Sequence, residues 1–121
     1  MSKMTDKMIA ESYAVAKKVF EKRIHLKEGV EYLEKLGMNP SSAAIYIQAY
    51  EAFRTGVLRQ RTLSEKGYRY FLQHILDDFG KEAFKIALSS LKKLADYQKE
   101  KGLSYAQSTY RIYNEFLEEI E

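Results

Sequence analysis

The sequence predicts an all-α fold: a compact bundle of five or six helices, with a helix-turn-helix-like hairpin near its middle. Three observations carry that expectation. Helix formers (Ala, Leu, Glu, Lys, Gln and Met) dominate the composition. Breakers are scarce, with one proline and six glycines in 121 residues. Apolar residues recur at i, i+3 and i+4 through most of the chain, which is the period of a helix that buries one face. The length fits one domain spanning residues 1–121 around a single core.

The elements follow in order. Thr5 or Ser2 caps a first helix that runs to about Arg23, with Met8, Ile9, Ser12, Ala16, Val19 and Phe20 on one stripe. A break falls at Ile24-His25-Leu26. A second, shorter helix turns Val30, Leu33 and Leu36 inward, and Gly37 suits the left-handed position past its end. Asn39 caps a third helix with Pro40 in the first turn, where a missing N–H costs nothing. Its stripe is Ala43, Ile45 or Tyr46, Ala49, Tyr50 and Phe53, and Gly56 ends it. Residues 57–63 read as a loop.

Ser64 caps a fourth helix carrying Tyr68, Phe71, Leu72, Ile75, Leu76 and Phe79, stopped by Gly80. A long fifth helix from Lys81 places Phe84, Ala87, Leu88, Leu91, Leu94 and Ala95 on one face and stops at Gly102. Ser104 caps the last helix, with Tyr110, Tyr113, Phe116, Leu117 and Ile120 inward. The segments LGMNPSSAAIYIQAYEAF and KGLSYAQSTYRIYNEF echo one another with a one-residue slip. Either a duplication or the common Gly-then-cap entry to a helix produces that echo.

Composition narrows the functional classes. Apolar content of 45% with 31% charge is that of a folded globular chain rather than a disordered one. With no cysteine, disulfides, thiolate metal sites and cysteine nucleophiles are excluded, and a cytoplasmic location is expected. Charges at positions 3, 6, 7 and 11 rule the N-terminus out as a signal peptide. No apolar run approaches the roughly 20 residues of a membrane span. A net charge of +3 is mild, so the distribution of charge matters more than its sum.

The second and third helices are the first candidate for function. A glycine turn followed by small residues sets two helices at a steep angle, the geometry that places a helix in the DNA major groove. There Asn39, Ser41, Ser42 and Gln48 are the side chains able to reach base edges or phosphates. Against this, the helix has no Lys or Arg before Arg54, and Glu51 would face phosphates. An ordinary helical hairpin with no DNA role fits this motif better.

The segment after it is the second candidate. Arg54, Arg59, Arg61, Lys66 and Arg69 stand against the single acid Glu65 between Arg54 and His74. Guanidiniums fork onto phosphates, and the N–H groups opening the Ser64 helix offer an anion site. The competing structural account pairs these arginines with Asp77, Asp78 or Glu51. Residues 105–121 hold one Arg against four Glu, an end that repels nucleic acid.

A rival class is a protein-interaction or homodimerisation domain, with Tyr46, Tyr50, Tyr110 and Tyr113 partly exposed in a tyrosine-rich interface. His25 and His74 stand alone, without a cluster at metal-ligand spacing. Asp77 and Asp78 point about 100° apart on a helix and do not form a dyad. No phosphate-binding glycine loop or nucleophile elbow is present. No catalysis, metal or cofactor is expected.

The run GMNPSSAAIYIQAYEAFRTG, followed by RQRTLSEKGYRYFLQHILDDFGKEAFKIALSSLKKLADYQ, resembles a helical domain at the N-terminus of some bacterial HNH-type restriction-like endonucleases. Gly37, Met38, Asn39, Ser42, Ala43 and Tyr46 carry the first part of the likeness. Gly56, Arg61-Thr62, Tyr70-Phe71-Leu72, Asp78-Phe79-Gly80 and Ala87-Leu88 carry the rest, over roughly residues 26–98. The resemblance implies a non-catalytic accessory module that binds or positions DNA. The nuclease part of that family, with its His and Asn ligands, has no counterpart here.

Overall fold

The computed structural model describes residues 4–121. Its helices are α1 (Asp6–Phe20), α2 (Leu26–Lys35), α3 (Pro40–Thr55), α4 (Glu65–Phe79), α5 (Lys81–Glu100) and α6 (Ala106–Ile120). No strand occurs among the described residues, so the all-α expectation holds. The chain groups into two compact units, one ending at Glu51 and the other Ala52–Glu121, with the boundary inside α3.

In the first unit, Thr5 opens α1, its Oγ1 accepting the Met8 N–H at 3.1 Å. Ser2, the alternative cap, lies outside the described residues. Ile9, Ser12, Tyr13, Val15 and Ala16 are buried. Helix α1 ends at Phe20, short of the expected Arg23, because Lys22 turns left-handed at φ 61°. The Lys22 N–H donates to Val19 O and the Arg23 N–H to Lys18 O. This is the Schellman closure, with lysine in the place glycine usually takes.

The same closure ends α2, this time with the expected glycine. Gly37 sits at φ 100°, its N–H on Glu34 O at 2.9 Å, while Met38 N–H reaches Leu33 O at 3.1 Å. Inside α2, Gly29 costs about 1 kcal/mol relative to alanine in helix propensity. The reason for it is close packing: a Cβ there would meet Val15 Cγ1 at 2.8 Å, Ile47 Cδ1 at 3.1 Å and Val19 Cγ2 at 3.2 Å. Helices α1, α2 and α3 therefore converge on this one hydrogen-sized gap.

Asn39 caps α3 as expected, its Oδ1 accepting the Ser41 N–H at 2.8 Å. The stripe takes Tyr46 rather than Ile45, and buries Ala43, Ile47, Ala49 and Tyr50 with it. Tyr50 is fully buried, edge-on to Tyr13 at 5.4 Å and to Phe20 at 5.7 Å between ring centroids. Tyr46 and Tyr50 are thus core residues. The exposed tyrosine interface drawn through them is corrected, because the stripe that carries them is the one α3 turns inward.

In the second unit, α5 packs against both α4 and α6. Phe71, Leu72, Ile75, Phe84, Leu91 and Ile112 are fully buried, each worth about 1.5–3 kcal/mol of transfer free energy. Ser64 caps α4, its Oγ accepting the Gly67 N–H at 3.1 Å, and Gly80 at φ 90° stops it. Two expectations fail. Phe79 is 36% exposed rather than inward, with the Arg54 guanidinium stacked 3.8 Å over its ring. Ser104 does not cap α6: Tyr105 holds the cap position and no side chain closes that turn. The N-cap role needs extended backbone, whereas Ser104 and Tyr105 form a turn closed by the Ala106 N–H on Leu103 O at 3.2 Å, with Tyr105 at φ −77°, ψ 0°.

That turn explains the internal echo. Gly102 at φ 71° donates to Lys99 O and Leu103 to Gln98 O, the same closure as at Gly37. Two Schellman ends, each followed by a hydrophobe and a new helix, produce the similarity without further common features at the following caps.

Candidate nucleic-acid interface

The basic segment begins where α3 ends. Gly56 takes φ 79°, and α5 holds the chain that follows: Lys93 Nζ donates to Gly56 O at 2.7 Å and Ser90 Oγ to Val57 O at 2.6 Å. Residues 57–64 form no helix. This stretch is therefore fixed at its start and irregular along its length, and Leu63 is buried at its far end.

The five predicted cations fall into different environments. Arg54 is half-buried and stacked on Phe79. Arg59 is half-buried, while Arg61 and Lys66 are exposed. Arg61 forms no hydrogen bond or ion pair with the described residues. Arg69 Nη1 lies 2.6 Å from Glu115 Oε2. The partner that the structural account offered, an acid of the α4 end, is not the one Arg69 takes. Asp77 instead accepts from Gln73 Nε2, one turn back, at 3.0 Å.

The opening turn of α4 is partly occupied by its own groups. Ser64 takes one of its free N–H groups, and Glu65 places a carboxylate in the same turn, favourable to the helix dipole. Glu65 Oε1 in turn accepts from Arg111 Nη2 at 2.8 Å. Sequence reasoning missed this pairing and the Arg69–Glu115 one. The partners lie 46 residues apart, and only the packing of α4 on α6 joins them. The available signal was the one-turn spacing of Glu65 to Arg69 and of Arg111 to Glu115, which puts opposite charges on one face of each helix.

The hairpin candidates belong to the other unit. Ser41 is exposed, whereas Ser42 and Gln48 are half-buried. The α3 residues up to Glu51 carry no cation, so this helix brings hydrogen-bonding groups without charge. His74 stacks on Tyr70 at 3.9 Å, and His25 sits at the start of α2, its N–H donating to Glu28 Oε1 at 3.2 Å.

A cleft of about 130 Å³ opens beside the starts of α4 and α6, lined by Thr62, Glu65, Tyr68 and Thr109 among others. Behind it, Thr109 donates to the buried Gln98 Oε1 at 2.6 Å. No group of three or more His, Asp or Glu side chains able to hold a metal occurs among the described residues. Nor is any described helix long and apolar enough to cross a membrane. No protein-family model, curated protein or solved structure matches the chain.

Proposed function

We propose that the chain is a non-catalytic DNA-binding module that contacts backbone phosphates through the segment from Arg54 to Arg69. The observation that carries this reading is the exposed Arg61, without a hydrogen bond or ion pair to the described residues, on an irregular stretch with Arg59 and Lys66 close to it in sequence. Such a stretch can follow a phosphate backbone without unfolding a helix, and guanidiniums are suited to it. The resemblance to the helical accessory domain of HNH-type endonucleases supports the same class. Ser41, Ser42 and Gln48 take the lesser role of neutral contacts, because α3 before Arg54 offers no charge to a polyanion.

The experiment is a titration with a short duplex at about 50 and 200 mM salt, where several phosphate contacts cost orders of magnitude in affinity. Absence of binding at the lower salt removes the reading.

A second reading, a protein-interaction domain, has its own observation. Val57 and Ile86 are 47% and 43% exposed, and Ile86 lies against Gly56, next in the chain to Val57. In that reading Tyr105, exposed in the same unit, stands in place of the buried Tyr46 and Tyr50. Sedimentation of the chain at high concentration tests its self-associating form, and a monomer counts against it.

A further inference from the structure

We propose that the α4–α6 face carries a further phosphate-binding site, in which Arg69, the last cation of the basic segment, is joined by Arg111 and both are masked by Glu65 and Glu115. It rests on the reading of the chain as a DNA-binding module. Each helix supplies one acid and one base a turn apart, in opposite order: Glu65 then Arg69 on α4, Arg111 then Glu115 on α6. The pairs cross between the helices, Arg69 to Glu115 at 2.6 Å and Arg111 to Glu65 at 2.8 Å. The four charges act as one cluster. Arg69 is held above its ordinary pKa chiefly by its bond to Glu115, and the charge of Glu65 acts on it too. Glu115 is held low chiefly by Arg69, with Arg111 adding to the effect.

Two features make this a mask rather than a structural clamp. The four side chains remain 40–55% exposed, so each pair is weak and weakens further with salt. Helix α6 is anchored independently, by buried Ala106, Thr109, Ile112 and Phe116. Each carboxylate therefore takes one guanidinium N–H, a donor that a phosphate oxygen fills equally well. With two charges of each sign the cluster is neutral, and it exerts no pull on a distant polyanion. Phosphates reach it once Arg59, Arg61 and Lys66 hold the duplex nearby, and they then displace Glu65 and Glu115.

The test compares the unsubstituted chain with Glu65→Gln/Glu115→Gln, titrating a short duplex across salt. As a charge-matched control, Glu118→Gln/Glu119→Gln removes two exposed α6 acids that pair with no described arginine. Circular dichroism confirms that each variant is folded. Unmasking two arginines is expected to tighten binding at low salt and steepen the log-log salt slope by about 1.8. Adding Arg69→Gln/Arg111→Gln should abolish that gain. An unchanged slope in the unmasked variant, or an equal gain in the control, overturns the proposal while leaving the basic-segment reading intact. Binding by the unmasked variant alone supports the masked site and removes the basic segment as the contact. Binding by neither protein removes both.

Discussion

The α2–α3 hairpin and the basic segment adjoin in sequence but are built on opposite principles. The hairpin is an exercise in close packing: Gly29 leaves room for three helices, a Schellman turn at Gly37 ends α2, and Tyr46 and Tyr50 fill the interior. Its polar residues are neutral. The basic segment buries little, is tied down at Gly56 and Val57, and presents charge. On the proposed reading the hairpin supplies shape, while the electrostatics of polyanion binding lie in the cations on and around the irregular stretch 57–64. Changes in the hairpin should act on stability, and changes in the segment on binding.

The largest stability effect is expected from Tyr50→Ala, which empties a fully buried ring site with two edge-on aromatic neighbours. A loss of about 3–5 kcal/mol, read from urea unfolding, follows from comparable aromatic deletions. Gly29→Ala is more discriminating. Helix propensity alone favours alanine by about 1 kcal/mol, yet the added methyl would lie 2.8 Å from Val15 Cγ1. Overpacking of this kind costs about 1–3 kcal/mol, so a net loss is expected. A gain in the unfolding midpoint would show that the three helices have slack at this point.

Lys22→Gly should do the reverse and stabilise the chain by about 1 kcal/mol, because it relieves a left-handed lysine at φ 61°. Smallest is the effect of Arg61→Ala on stability, expected within about 0.5 kcal/mol because the side chain is exposed and bonded to nothing described.

One pH effect also separates surface ties from core. The Tyr110 hydroxyl, and after it Lys92, hold the Asp96 carboxyl below its ordinary pKa. A lowered native pKa stabilises above the unfolded carboxylate range and is lost as pH falls through the native value. Asp96→Asn should therefore lower the neutral plateau slightly and flatten the acid side, the two profiles converging at low pH. An unaltered acid limb would mean that this tie does not contribute.

Much of the fold is legible in the sequence because local chemistry decides it. Ser64, Asn39, Gly37, Gly56 and Gly80 each sit where their caps and left-handed turns are needed. The failures have the opposite origin. Lys22 occupies a glycine position that no propensity scale assigns to lysine, and Ser104 is passed over because it lies inside a turn closed between Leu103 and Ala106. Phe79 matches the helical stripe, yet it lies at the last turn of α4, where the Arg54 guanidinium covers it in place of the core. In the candidate site, the cations are legible but their partners are not. Glu115 joins Arg69 only once α4 and α6 are packed, and no local pattern states that distance.

The account turns on the segment carrying the phosphate contacts and the hairpin supplying shape. The most direct test sets Arg59→Glu/Arg61→Glu beside Ser41→Ala/Gln48→Ala and measures duplex binding across salt. The account predicts that the arginine pair loses most of its low-salt affinity and that its log-log slope falls by about 1.8, while the hairpin pair keeps both. Retained affinity in the arginine variant, with binding lost in the hairpin variant, would contradict it.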